Sequence, residues 1–179
     1  NLTRSTISGS LATLRSTLMP TASDAAPPPL ATSIDTSATT DSWALVLDPK
    51  YASKLEDCGV VILDAPTDVL PNVIAYMGGN GTSTEVGDFE KAGEILNAVR
   101  PHLRYIHSSQ SINDIANGDI CAAIMWSGDA FQAAYRAEEA ENGHTIEYYI
   151  PQEGTNLWFD HFAIPADAET VSYTHLTLP

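Results

Sequence analysis

Two short runs, Trp126-Ser127-Gly128-Asp129 and Leu157-Trp158-Phe159-Asp160, each set a large aromatic ring within three residues of a carboxylate. That pairing suits a flexible organic cation. Ring faces attract ammonium groups and the hydrocarbon between them, while carboxylates accept charge-assisted hydrogen bonds from the nitrogens. A third acid, Asp68, falls in the first turn of a helix expected after Leu63, from where it can project toward the same edge.

The surrounding pattern supplies elements to carry these residues. Val60–Leu63 reads as a short buried strand. Asp64-Ala65-Pro66 then opens a helix with proline at its first position, and Gly78-Gly79 stops it. A second helix is expected over Asp88–Val99, with Phe89, Ala92, Ile95, Leu96 and Val99 on one stripe, and Pro101 ends it. Arg104–His107 reads as a strand, Ser111–Asn117 as a short helix closed by Gly118, and Ile120–Trp126 as a buried strand. Gly128–Asn142 forms a helix with Phe131, Ala134 and Tyr135 on one face, and Gly143 stops it; Ile146–Ile150 and His161–Ile164 are further strands. Alternating strands and helices imply an α/β fold with a mainly parallel sheet flanked by helices. Ligands bind such sheets beyond the carboxyl ends of the strands, where Trp126, Asp129 and Asp68 fall.

Residues 1–40 differ in texture. They are rich in Ser, Thr, Ala and Pro, include Pro27-Pro28-Pro29, and read as disordered or linker-like, with a poor helix at best over Ile7–Leu18. The last nine residues, 171–179, continue neither pattern and have the look of a cloning or sequencing scar.

Twenty-three acidic residues stand against eight basic ones, for a net charge of −15. Such a field repels nucleic acid and anionic membrane and gathers cations, although the same charge also serves solubility. No apolar run approaches the ~20 residues of a membrane span, and no apolar block of ~7–15 residues marks a signal peptide. In a complete protein this would argue for the cytoplasm; the ends of this chain read as those of a fragment.

Cys58 and Cys121 are the two cysteines, without CxxC or His-Cys spacing, so a structural zinc site is not expected. Each adjoins a strand-like run. From the residues alone, a bridge across neighbouring strands and a pair of buried thiols stand equal. Other chemistries fare poorly. His107-Ser108 and Asp160-His161 have the residue types of a hydrolase, but no GxSxG elbow is present. Gly78-Gly79-Asn80-Gly81-Thr82 lacks the Lys-Ser/Thr of a phosphate loop and reads as a turn. Nothing fixes a carboxylate separation for a glycosidase. No catalytic residue, metal or cofactor is expected.

From about Asp41 to Ala168, the chain resembles the periplasmic putrescine/spermidine-binding proteins of ABC transporters. The resemblance rests on ordered runs: Cys58-Gly59-Val60, Leu63-Asp64-Ala65-Pro66, Arg100-Pro101 and His107-Ser108-Ser109-Gln110. It continues through Ile112-Asn113-Asp114, Ala116-Asn117-Gly118-Asp119-Ile120-Cys121, Trp126-Ser127-Gly128-Asp129 and Ile150-Pro151 with Glu153-Gly154, and ends at Phe159-Asp160 and Ile164-Pro165-Ala166-Asp167-Ala168. It implies one lobe of a two-lobed type II periplasmic binding protein. Residues 41–150 would form the second-lobe domain and 151–170 the hinge and return toward the first lobe, with 1–40 and 171–179 unmatched.

The resemblance also implies a monomeric, non-enzymatic receptor in the periplasm, with a polyamine as ligand and an inner-membrane ABC permease as partner. Its ligand shell would comprise Asp68, Trp126, Asp129, Trp158 and Asp160. The position of Asp68 is usually glutamate in that family, one methylene longer. That of Trp158 is Phe or Trp, and the wider indole favours spermidine over putrescine. Ser108 and Ser109 either line the cleft or serve as turn and cap residues. The family pattern pairs Cys58 with Cys121 in a disulfide. A related receptor or sensor with another cationic ligand is the competing reading, since a shared scaffold does not fix function.

Overall fold

The computed structural model describes residues 4–7 and 10–16 as backbone, and residues 41–160 in full. In chain order, the elements are β1 (Arg4–Ile7), β2 (Ser10–Ser16), α1 (Ala44–Leu47), α2 (Pro49–Ala52), β3 (Val60–Ile62) and α3 (Pro66–Tyr76). They continue with α4 (Val86–Val99), β4 (Tyr105–Ile106), α5 (Gln110–Asn117), β5 (Ala122–Met125), α6 (Ser127–Glu139), β6 (His144–Tyr149) and β7 (Leu157–Asp160).

The main sheet has the order β4-β3-β5-β2-β6. β3 runs parallel to β4 and β5, with Val61 opposite Tyr105 and Ala123. β2 lies antiparallel between β5 and β6, and β1 forms a separate antiparallel ribbon with β7. The expected α/β sheet flanked by helices is present. The segment over Ile7–Leu18 differs from expectation: Ser10–Ser16 is a strand, not a poor helix. Its own sequence favours neither state strongly, and the facing edges of β5 and β6 offer a full ladder of backbone partners. Tertiary context of this kind overrides weak propensity.

Period-two alternation divides the core. Val60, Ile62, Ala122 and Ile124 pack on one face with Trp43, Leu45, Leu47, Val73 and Ile74. Val61, Ala123 and Met125 pack on the other with Ile115, Ala130, Ala133 and Ala137. Both faces of β3 and β5 are therefore covered, which is why these strands read as unbroken apolar runs. In α6 the buried stripe is Ala130, Ala133 and Ala137, whereas Phe131 and Tyr135 stand 60% and 61% exposed. The small side chains let the helix lie close against the sheet. The expected strand at His161–Ile164 lies outside the described residues; the last described strand is Leu157–Asp160.

Two local features fix the bottom of the β3–β5 pair. Cys58 and Cys121 form a disulfide with their Cα atoms 5.5 Å apart. Beside it, Gly59 adopts φ +96°, and a Cβ there would meet Arg104 Nε at 2.8 Å. The Arg104 guanidinium donates to the carbonyls of Asp57 and Asp119, spanning the approaches to both strands.

The bridge closes a sequence separation of 63 residues, for which the chain-entropy account gives about 4 kcal/mol of stabilisation. Replacing both cysteines by serine is expected to lower the unfolding free energy by a comparable amount in urea titration. A loss below about 1 kcal/mol would show that the fold does not draw on the cross-link.

Candidate functional site

The site is assembled where β3 and β5 end. Because these strands are parallel neighbours, the turns after them lie side by side. The turn after β3 leads into α3 with Pro66 at its start, an arrangement that fixes φ and loses no hydrogen bond. Asp68 sits in that first turn, 9% exposed. Met125 closes β5, and Trp126 follows in extended backbone (φ −69°, ψ 147°) as the residue that begins α6.

These two residues meet. The Trp126 indole Nε1–H donates to Asp68 Oδ2 at 2.8 Å. The Asp68 backbone carbonyl accepts two amides, Asn72 Nδ2 at 2.7 Å and Asn156 Nδ2 at 3.1 Å. Asn156 belongs to the segment entering β7, so this last bond ties the strand bearing Trp158 and Asp160 to the start of α3. Trp158 is half-buried and Asp160 exposed. Two residues apart on one strand, they project to the same face; in register, Asp160 lies opposite Arg4.

Asp129 occupies the first turn of α6, one turn from Trp126. Burial raises its carboxyl pKa above the ordinary value, while the charge of Arg136 pulls it down. Ionisation of such a group weighs against the fold as pH rises from the unfolded value of about 3.9 toward the raised folded one. A carboxylate held under this cost gains from a cation brought beside it.

The segment before β7 is itself anchored. Fully buried Trp43 donates its indole N–H to the Gly154 carbonyl at 2.9 Å. Ser42 Oγ and the Trp43 backbone N–H both donate to the Glu153 carboxylate, and Gln152 N–H donates to Asp41 O. A cavity of about 570 Å³ lies alongside, lined by Asn72, Asn80, Thr82, Glu153, Asn156 and Trp158 among others. Of the five expected ligand residues, only Trp158 lines it.

The residues that join these elements to one another were missed by sequence reasoning. Asn72, Asn156, Ser42 and Trp43 gave no motif, and Glu153 entered only within the run Glu153-Gly154. The spacing of Asp68 and Asn72, four apart on a helix, was the one available signal. Of the hydrolase residue types, those at 107–108 have other duties, and His161 lies outside the described residues. His107 Nδ1 accepts the backbone N–H groups of Ser109 and Gln110 at the start of α5, and Ser108 Oγ donates to Asp64 O. Asn80 Oδ1 accepts from both Thr82 N–H and Thr82 Oγ1, so the glycine-rich stretch is a turn.

Among solved structures, the fold is shared with ABC transporter substrate-binding proteins. The Tp0655 (TpPotD) lipoprotein of Treponema pallidum superposes with a TM-score of 0.60 at 17% identity, covering 93% of this chain and 44% of its own. PotD of Streptococcus pneumoniae, a spermidine/putrescine ABC transporter substrate-binding protein, gives 0.57 at 20% identity, covering 88% and 41%. The class defined is thus an α/β domain of that fold. By sequence, the chain is 50% identical over 133 residues to the putrescine-binding periplasmic protein PotF of Escherichia coli, and 47% identical over 132 residues to SpuD of Pseudomonas aeruginosa. Each match takes in 74% of this chain and 36% of the relative, so the chain spans about a third of the length of these proteins. No family model matches. Over its matched residues, this chain is similar to proteins named for periplasmic putrescine binding. Among the described residues, no helix is long and apolar enough to cross a membrane.

The carboxyl carbon of Asp129, followed by NMR across an acid titration, is expected to show a midpoint above the ordinary aspartate value of about 3.9. Arg136→Gln should move the midpoint further up, because the cation that opposes the shift is gone. A midpoint at or below the ordinary value would place Asp129 in a solvated setting.

Proposed function

We propose that this chain is one lobe of a periplasmic receptor that captures a polyamine and delivers it to an ABC permease. Residues 41–150 form the lobe and 151–170 the hinge return. Trp126, Asp129, Trp158 and Asp160, with Asp68 behind Trp126, make its wall of the cleft. The observation that carries this reading is the junction of Asp68, Trp126 and Asn156. It gathers rings and acids from three elements at the carboxyl edge of a parallel sheet, in a homologue of proteins named for putrescine binding. The wall offers acceptors and π faces, and the chain's charge of −15 adds attraction for a cation.

Binding rather than catalysis fits this set. The hydroxyl and imidazole of the 107–109 stretch are committed to local backbone contacts, and the rings match the methylene segments of a polyamine. The indole at Trp158 favours spermidine over putrescine. The receptor acts as a monomer, since a two-lobed clamp closes within one chain.

In the two-lobed protein, Asp129→Asn or Asp160→Asn is expected to weaken spermidine and putrescine binding by about 1.5–3 kcal/mol each, the worth of a hydrogen bond to a charged group. Calorimetric titration of both variants checks this. Unchanged affinity in both removes the carboxylates from the site, and a preference for a different cationic solute favours a related receptor or sensor.

A second expectation concerns this lobe alone. Without closure its ion pairs face water, where each is worth about 0–1 kcal/mol. The 179-residue chain should therefore bind spermidine at least about a hundredfold more weakly than the two-lobed protein, or about 2.8 kcal/mol. Equal affinities in side-by-side calorimetry would mean that this lobe holds the whole site.

A further inference from the structure

Asp68 differs from the other acids of the wall in its depth. Its residue is 9% exposed, whereas Asp129 is partly exposed and Asp160 is exposed on β7. One carboxylate oxygen takes the indole N–H of Trp126 at 2.8 Å. Its backbone carbonyl takes the side-chain amides of Asn72 and Asn156. The residue thus contacts three elements: its own helix α3, the β5–α6 junction and the segment entering β7.

The bond to Trp126 has a geometric consequence. An indole turns about two side-chain torsions. Its Cβ end is set by the extended backbone at the start of α6, and its far edge is pinned by Asp68 Oδ2. Both torsions are then fixed, and one ring face is presented at the strand edge. A face held in place before binding loses no rotamer freedom when a cation arrives. A carboxylate buried to this degree and already accepting a hydrogen bond is a poor partner for a mobile ammonium, which needs open approach and several acceptors.

We propose that Asp68 is a positioning residue in this chain. It orients the Trp126 ring and, through Asn156, registers the strand bearing Trp158 against it; the ammonium charge is met by Asp129 and Asp160. This rests on the polyamine reading above and assigns a different task to one member of the wall. The function required of Asp68 is hydrogen-bond acceptance, which an asparagine Oδ1 also supplies, and not negative charge.

The test uses the 179-residue chain, labelled with ¹⁵N, and variants Asp68→Asn, Asp68→Ala and Asp129→Asn. Each tryptophan gives one indole N–H resonance, and that of Trp43, bonded to the Gly154 carbonyl, reports whether a variant is folded. Asp68→Ala is expected to shift the Trp126 indole resonance to a free-indole position with fast solvent exchange, while Asp68→Asn keeps it protected. In putrescine titrations of the two-lobed protein carrying the same substitutions, Asp68→Ala should weaken binding by about tenfold and Asp68→Asn by no more than about threefold, with Asp129→Asn losing tenfold or more.

If Asp68→Asn loses as much affinity as Asp129→Asn, Asp68 is a charge partner and the proposal is overturned. It also fails if the Trp126 indole resonance ignores Asp68→Ala. If the unaltered two-lobed protein shows no putrescine binding at all, the polyamine reading falls, while the indole resonances of the 179-residue chain still decide whether Asp68 positions the ring.

Discussion

The parallel pairing of β3 with β5 is the constraint from which the remaining arrangement follows. Val60 and Val61 pair with Ala122 and Ala123, and both strands are covered on both faces. With apolar side chains required above and below, the register has little freedom to slip, since a shift by one residue would exchange the two cores. The cysteines and the Arg104 guanidinium fasten the lower ends of the pair. The upper ends then have to deliver their turns side by side, and an aspartate from one reaches a tryptophan from the other.

Around that junction the acids fall into two kinds. Asp129 and Asp160 lie where solvent or a ligand can reach them, and their charges contribute to an electrostatic field that extends beyond the surface. Asp68 sits inside, where a charge is costly unless hydrogen bonds satisfy it. The same residue type therefore sits in two physical settings, and the difference is one of depth rather than of chemistry. The loop through Glu153 and Gly154 shows a parallel economy: a fully buried tryptophan and a serine hold it from below, so the strand that follows leaves the body of the domain at a defined point.

Much of this was legible in the residues. Val60–Ile62 and Ala122–Met125 are apolar runs too short for helices, Gly118 ends α5 in the left-handed region (φ +81°), and Pro66 marks the start of α3. Each is a local signal with a local cause. What escaped was set by partners distant in sequence. Ser10–Ser16 has no strong strand pattern of its own and takes its form from the two edges that flank it. The aromatic stripe of Phe131 and Tyr135 in α6 outweighs alanine in any hydrophobic count, yet the alanines face the sheet because close packing favours small side chains there. Asn156 carries no motif; its meaning lies in a carbonyl 88 positions away.

Gly59 carries a consequence for how this sequence is free to vary. Its backbone sits at φ +96°, and the Arg104 guanidinium occupies the space a side chain would need. Shortening residue 104 opens that space but leaves the left-handed backbone, and it strands the carbonyls of Asp57 and Asp119 that the guanidinium now serves. Changing residue 59 first drives a Cβ into the guanidinium. Glycine at 59 is therefore held first by its backbone conformation, with the flexible guanidinium a lesser obstacle, while Arg104 is held by the two carbonyls it serves. These two constraints place an evolutionary lock at the foot of the sheet, at the opposite end of the strands from the turns that carry Asp68 and Trp126, and leave those turns freer to be retuned.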